Sequence, residues 1–134
     1  MTTGSFNEAT VAALAECLER HPSIAAAYLL GSAVQGRLRP ESDLDVAVLP
    51  TRPHGLPIVE RLALAAELSQ AAGRDVDLGI LSTSSLVYAK EAVAHGRLFF
   101  ERDREARARF AMYALSMYAS LQEARQEVIA AYAA

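Results

Sequence analysis

The spacing of hydrophobic residues changes several times along the chain between the helical period and the strand period, which predicts both helices and strands. Residues 7–20 have helical spacing after a potential cap at Asn7, with apolar positions at Val11, Leu14, Ala15 and Leu18. Ile24 to Leu30 is a continuous apolar run that stops at Gly31, which predicts a buried strand. The pattern therefore opens with a helix followed by a strand.

Two later segments, 43–49 and 75–81, have the two-residue alternation of β-strands. Their apolar faces consist of Leu44, Val46 and Val48 in the first and of Val76, Leu78 and Ile80 in the second. In each segment the opposite face begins with aspartate residues. A short fourth strand is predicted at 97–100.

Helical spacing returns in three further segments. They are predicted to run from Leu56 or Pro57 to Gly73, from Ser84 or Ser85 to Ala94, with a stop at His95-Gly96, and from Asp103 to about Tyr132. The core side of the first has Leu62, Leu64, Ala65 and Leu68. The long last helix has a stripe of Phe110, Ala114, Met117, Leu121, Ala124 and Val128, widened by Tyr113, Leu115, Tyr118 and Ile129. One side of this helix is expected to pack on the sheet, and the remaining apolar side chains are expected to contact another chain.

Composition narrows the class of protein. A length of 134 residues fits one domain over 1–134, with a core at about 7–100 and the last helix at about 103–132. The net charge of −3 argues against a general nucleic-acid binder. Neither a signal peptide nor an apolar run of membrane-spanning length is visible, so no membrane contact and a cytoplasmic location are expected.

The cysteine and the histidines do not suggest a metal site. Cys17 occupies an apolar position of the first helix and has no partner for a disulfide or a zinc site. His21, His54 and His95 lie at helix ends or in a loop and share no ligand spacing. All four are interpreted as structural residues.

Gly31 and Ser32 lie where the first strand ends. If a helix begins at Ser32, this residue and Gln35 have the spacing of a capping box, with Ser32 as the N-cap. Free N–H groups and a hydroxyl at such a turn can hold an anion such as a phosphate. A Gly-Ser pair also occurs in many turns without such a role.

Asp43 and Asp45 open the second strand with one residue between them. Side chains two apart on a strand share a face, at roughly 6–7 Å along the backbone, so both carboxylates can approach one small cation. Mg²⁺ prefers carboxylate and phosphate oxygens. A solvated Asp-x-Asp at a strand start is the alternative.

Asp77 strengthens the metal interpretation. On an adjacent strand of matching parity it would lie about 5 Å from a cross-strand neighbour and complete a cluster of three carboxylates. Such a cluster destabilises the fold unless a cation or solvent accommodates it. Asp75 has the same parity, but its position after Gly73-Arg74 is typical of a turn residue, so Asp77 is preferred.

The order and spacing of these residues resemble the motif of the DNA polymerase β-type nucleotidyltransferase superfamily. The matching parts are Gly31-Ser32, ten intervening residues, Asp43-x-Asp45 and the later Asp77. Within it, the short chain resembles the minimal nucleotidyltransferase (MntA-like) antitoxins that pair with HEPN-domain toxins. The resemblance implies a mixed α/β (α+β) nucleotidyltransferase fold, in which a small mixed sheet is flanked by helices and a long C-terminal helix.

The resemblance also implies roles for these residues. Gly31 and Ser32 would hold ATP, Asp43 and Asp45 would ligate two Mg²⁺ ions, and Asp77 would ligate the catalytic ion and help activate the attacking hydroxyl. Many members have arginine where this chain has Gln35. Arg37 and Arg39 lie in the same loop; Arg37 is a candidate for the nucleotide, and a solvated arginine pair is the alternative.

By resemblance, the reaction transfers AMP from ATP to a tyrosine of a HEPN ribonuclease toxin and neutralises it within a hetero-oligomer. One alternative is a binding module of the same fold that inhibits its toxin by contact alone. Another is a small-molecule enzyme of the aminoglycoside-modifying type, although roughly thirty residues after the core leave little chain to hold such a substrate.

Overall fold

The structure is a computed structural model that describes residues 7–34, 39, 41–52 and 55–133. Its elements are α1 (Glu8–Glu19), β1 (Ile24–Leu30), a 3₁₀ turn (Gly31–Ala33), β2 (Leu44–Pro50), α2 (Ile58–Ala72), β3 (Val76–Ile80), α3 (Leu86–His95), β4 (Arg97–Glu101) and α4 (Arg104–Ala133). Every predicted helix and strand is present to within a residue or two. None of the described helices is both long and apolar enough to cross a membrane.

The strands form a mixed sheet in the order β3-β2-β1-β4. β1 pairs antiparallel with β2 and with β4, whereas β2 pairs parallel with β3. A parallel pair needs a crossover connection, and α2 provides it between β2 and β3. The sheet therefore places the N-terminal ends of β2 and β3 side by side, next to the C-terminal end of β1.

Helices cover both faces of the sheet, so β2 is buried from two sides. On one face the core includes Val46 and Val48 of β2, Leu14 and Leu18 of α1, and Leu64 and Leu68 of α2. On the other face it includes Ala47 and Leu49 of β2, Ala89 and Ala92 of α3, and Phe110 and Ala114 of α4. The predicted apolar faces of the second and third strands are confirmed.

Helix ends follow the predicted local chemistry in two cases. The side chain of Asn7 accepts a hydrogen bond from the Thr10 N–H (3.0 Å) and so caps α1. Gly73 ends α2 with φ of 70°, the left-handed conformation that glycine adopts without strain. Both predicted caps are confirmed.

The predicted capping box at Ser32 is wrong. The turn begins one residue earlier, at Gly31, with Leu30 in the cap position and no side-chain cap hydrogen bond. The Val34 N–H donates to the Gly31 carbonyl (3.1 Å), which gives a single 3₁₀ turn. Gln35, the other half of the predicted box, lies outside the described residues.

Two helices, α2 and α4, bury fewer apolar side chains than their periodicity predicts. Leu62 of α2 is 65% exposed, because this helix contacts α1 through Leu64 and Leu68. In α4 the buried positions are Phe110 and Ala114, while Val128 is 55% exposed. A helix of 30 residues is about 45 Å long, roughly twice a seven-residue strand, so its second half extends past the sheet.

Candidate functional site

Strand register brings Asp45 and Asp77 together. The two residues lie opposite each other in the parallel β2–β3 pair, and Asp45 also lies opposite Leu30 in the antiparallel β1–β2 pair. The predicted match in parity between the second and third strands is confirmed. The turn after Leu30 therefore begins beside the aspartate pair.

Gly31 contacts Asp45 so closely that a side chain does not fit between them. Its φ is +66°, and a Cβ added to it would lie 2.8 Å from the Asp45 Oδ2. A positive φ and the lack of space both require glycine here. The glycine thus allows the backbone N–H groups of the turn to approach the carboxylate edge of the sheet.

A cavity of about 360 Å³ opens at this edge and is lined by Leu30, Asp45, Asp77, Gly79 and Tyr88. Tyr88 projects from α3, and its hydroxyl would be 1.8 Å from a Cβ on Gly79. The sequence pattern did not identify Tyr88 as a site residue. The one available signal was Gly79, since a glycine inside a strand often marks a close approach by another group.

The electrostatics of this cavity favour a cation. Burial raises the pKa of the Asp45 carboxyl, and the nearby charges of Asp77 and Asp43 raise it further. The pKa of Tyr88 is also raised, first by burial and then by Asp77 and Asp45. Both shifts thus combine burial with the charges of neighbouring aspartates, and none of the described residues that line the cavity is cationic.

The remaining predicted site residues differ in placement. Asp43 precedes β2 and is exposed, and Asp75 is exposed just before β3. Gly31 is exposed and Ser32 is half-buried in the 3₁₀ turn. Arg37 lies outside the described residues.

The aspartates provide suitable donors for Mg²⁺, which binds hard carboxylate oxygens. The raised pKa of Asp45 is due first to burial and then to the nearby charges of Asp77 and Asp43, which a bound cation would offset. Among the described residues, however, the aspartates do not form a group whose ligand atoms all lie within 4.8 Å of one another. A cation shared by Asp43, Asp45 and Asp77 therefore requires a change of side-chain rotamer.

A second cavity of about 630 Å³ lies at the opposite, C-terminal ends of β2 and β3. Its polar wall includes Arg52, Arg61 and the run Ser82-Thr83-Ser84-Ser85. None of the predicted site residues that the structure describes lines it. The two cavities are separated by the length of the strands.

The prediction that Cys17 has no partner for a zinc site is wrong, because two further donors, from His21 and Glu67, lie beside it. The ligand atoms of the three residues all lie within 4.8 Å of one another. Glu67 belongs to α2 and is far away in the sequence, so spacing alone could not reveal the group.

Comparisons with known proteins identify a family and a similar enzyme. The family model described as "Polymerase beta, Nucleotidyltransferase" matches residues 12–105. The protein adenylyltransferase MntA of Shewanella oneidensis is 35% identical over 108 residues, which cover 81% of this chain and 76% of the relative.

Solved structures share the nucleotidyltransferase fold. A crystal structure of a toxin–antitoxin with AMP-PNP has a TM-score of 0.75 and 32% identity, covering 92% of this chain and 98% of the other. A structure of the tri-AMPylated S. oneidensis HEPN toxin in complex with MNT antitoxin has a TM-score of 0.69 and 29% identity, covering 93% and 97%.

Proposed function

The chain belongs to the polymerase β nucleotidyltransferase family, and we propose that it is an antitoxin that transfers AMP from ATP to a tyrosine of a partner HEPN ribonuclease toxin. It acts as one nucleotidyltransferase domain over 1–134. The observation that carries the proposal is the register that aligns Asp45 with Asp77 beside Gly31. The complexes of similar antitoxins support the partner class.

Gly31 and Ser32 bind the triphosphate of ATP in this proposal. The turn ends β1 directly beside the aspartates, and its backbone N–H groups and the Ser32 hydroxyl are donors of the kind that bind phosphate. Because Gly31 has no side chain, the nucleotide can approach the backbone closely. Arg37 is an additional candidate for charge on the phosphates.

Asp43, Asp45 and Asp77 hold two Mg²⁺ ions in the proposed enzyme. When bound, such ions supply charge stabilisation for the α-phosphate and for the pyrophosphate that leaves. Asp77, on the strand next to Asp45, orients the attacking tyrosine hydroxyl and accepts its proton. The Tyr88 side chain of α3 forms part of the wall of the same cavity.

The surface of α4 supports a protein acceptor over a small molecule. Its exposed apolar side chains include Met112, Tyr113, Leu115, Val128, Ile129 and Tyr132. Exposed apolar groups in such number are typical of a surface that binds another protein. A protein acceptor brings its own surface to the cavity and requires no additional domain in this chain.

The test is a transfer reaction with α-labelled ATP, Mg²⁺ and the purified product of the neighbouring toxin gene. We expect label on a toxin tyrosine with the wild-type chain and a loss of about 10³-fold or more with Asp45→Asn or Asp77→Asn. Asp75→Asn is the matched control, because Asp75 is also exposed near the start of β3, and it should retain activity.

The alternatives give different outcomes in the same reaction. A stable complex without label would indicate a binding module that inhibits by contact. Label on an added aminoglycoside, and none on the toxin, would indicate a small-molecule enzyme. Equal activity of wild type and Asp45→Asn would refute the assignment of the aspartates.

A further inference from the structure

A group of three metal-type donors lies away from the aspartate cavity, between α1 and α2. The Cys17 thiol, an imidazole nitrogen of His21 and a carboxylate oxygen of Glu67 are all within 4.8 Å of one another. His21 Nε2 and Glu67 Oε1 are 3.1 Å apart and hydrogen-bonded. The group uses sulfur, nitrogen and oxygen donors, whereas the aspartate site has oxygen donors alone.

The fold holds these donors in place. Cys17 lies in the last turn of α1, and His21 lies in the turn that follows, where its N–H donates to the Leu18 carbonyl (3.0 Å). The Arg102 guanidinium donates to the Leu18 carbonyl (3.0 Å) and the His21 carbonyl (3.4 Å), which fixes the same turn. Glu67 comes from α2, which packs directly on α1.

Burial decreases from the thiol to the carboxylate. Cys17 is 1% exposed, the His21 side chain 15% and the Glu67 side chain 41%. An ion bound by all three would thus contact the core on the side of Cys17 and solvent on the side of Glu67.

We infer that Cys17, His21 and Glu67 bind one Zn²⁺ ion, with water as the fourth ligand. Zinc accepts thiolate, imidazole and carboxylate in a tetrahedral arrangement, whereas Mg²⁺ selects oxygen donors. Binding releases the thiol proton to the buffer and leaves the imidazole neutral. The ion joins the end of α1 to α2 and is independent of the nucleotidyltransferase proposal, since it shares no ligand with the aspartate site.

Co²⁺ titration tests this site selectively. Cys17 is the only cysteine of the chain, so a thiolate-to-cobalt charge-transfer band can arise only here. The titration is carried out on the full chain with excess Mg²⁺ to occupy the oxygen-donor site. We expect a band that saturates at one equivalent and disappears when Zn²⁺ is added.

Variants distinguish the three ligands from the rest of the chain. Cys17→Ser should abolish the band, and His21→Gln or Glu67→Gln should weaken Co²⁺ binding by about 10-fold or more. His95→Gln and Asp45→Asn are matched controls and should bind like wild type. At a free Zn²⁺ concentration of about 100 times Kd, the Tm of the wild type should rise by about 5–10 °C.

The inference is overturned if the folded wild-type chain gives no charge-transfer band, or if His21→Gln and Glu67→Gln both bind Co²⁺ like wild type. The group is then a hydrogen-bonded His–Glu pair beside a core thiol. Because His21 and Glu67 are partly exposed, their variants decide the question even if Cys17→Ser fails to fold.

Discussion

Gly31 has a left-handed backbone, and any side chain added there would collide with Asp45. Substitutions at Gly31 and Gly73 separate these two effects. Gly73 also has a positive φ, of 70°, but a Cβ there would meet nothing within 4 Å. We expect Gly31→Ala and Gly73→Ala each to lower the free energy of unfolding by about 1–2 kcal/mol, as measured by urea denaturation.

Catalysis should distinguish these two variants. Only Gly31→Ala pushes the Asp45 carboxylate out of position, so it should lower AMP transfer by about 100-fold or more, whereas Gly73→Ala should leave it within about 2-fold. Equal activities of the two variants would show that the contact between Gly31 and Asp45 has no functional importance.

The raised pKa of Asp45 predicts a pH-dependent effect on stability. The folded chain binds this proton more tightly than the unfolded chain, so the ionised carboxylate destabilises the fold at pH above the folded-state pKa. This penalty disappears as the pH falls through that pKa and below the unfolded value. In metal-free buffer, Asp45→Asn should therefore raise the Tm at neutral pH, and the gain should shrink in acid.

Thermal melts across pH with EDTA present measure this effect, with Asp75→Asn as the control for loss of a nearby exposed charge. A Tm gain for Asp45→Asn that stays constant from neutral to acid pH would contradict the assigned cause. Added Mg²⁺ should stabilise the wild type more than Asp45→Asn, because the variant has lost an ionised oxygen donor.

At the residue scale, the sequence identifies site residues only where they lie on strands, because the two-residue alternation of a strand shows which side chains share a face. The parity of two alternating strands placed Asp45 on the same face as Asp75 and Asp77, and the turn before Asp75 favoured Asp77, which the register confirms. Tyr88 and Glu67 come from helices, and their approach depends on how α3 and α2 pack, which a one-dimensional pattern does not contain. They became visible only once the elements were assembled.

Arg102 shows how one side chain can organise several elements. Its Nε donates to the Ile24 carbonyl (3.0 Å) at the start of β1, and its Nη2 donates to Leu18, Glu19 and His21 at the end of α1. The guanidinium also lies 5.4 Å from the centre of the Phe100 ring. It therefore ties α1, β1 and β4 together.

We expect Arg102→Ala to lower the free energy of unfolding by about 2–3 kcal/mol, because the last carbonyls of α1 lose a charged donor. Chemical denaturation measures this value. Arg109→Ala is the control, since the Arg109 side chain makes an exposed ion pair with Glu105 within α4 and should change stability by under about 0.5 kcal/mol. Similar losses in both variants would contradict the role of Arg102.

The sequence predicts where most helices and strands end, but it does not always predict the physical reason that they end there. Gly96 ends α3 as expected, yet its backbone is extended and not left-handed. A Cβ there would lie 2.5 Å from the Ala92 carbonyl oxygen and 2.8 Å from Leu30 Cδ2. Glycine is required at this position for a close approach between α3 and β1, a contact that depends on the assembled fold.

At the scale of the whole molecule, α4 extends beyond the sheet and offers its distal surface to the proposed toxin. Every described residue from Glu123 to Ala133 is exposed. The apolar pattern predicted this stripe, but sequence alone could not divide it into a part that packs on the sheet and a part that does not. The division depends on where the sheet ends.

Charged substitutions test the role of this surface. Val128→Asp/Ile129→Asp should leave the Tm nearly unchanged, because both side chains are exposed, and should weaken toxin binding by about 10-fold or more in calorimetry. Val59→Asp/Leu62→Asp on α2 is the matched control, with similarly exposed side chains and no expected effect. The reverse pattern would place the toxin on α2.

The most direct test of the central claim is the intact mass of the toxin after co-expression with this chain. We predict that toxin purified with the wild-type chain carries whole adenylyl increments on tyrosine, and that toxin purified with Asp45→Asn carries none. Unmodified toxin that the wild-type chain nevertheless neutralises, or equal modification by Asp45→Asn, would contradict the account.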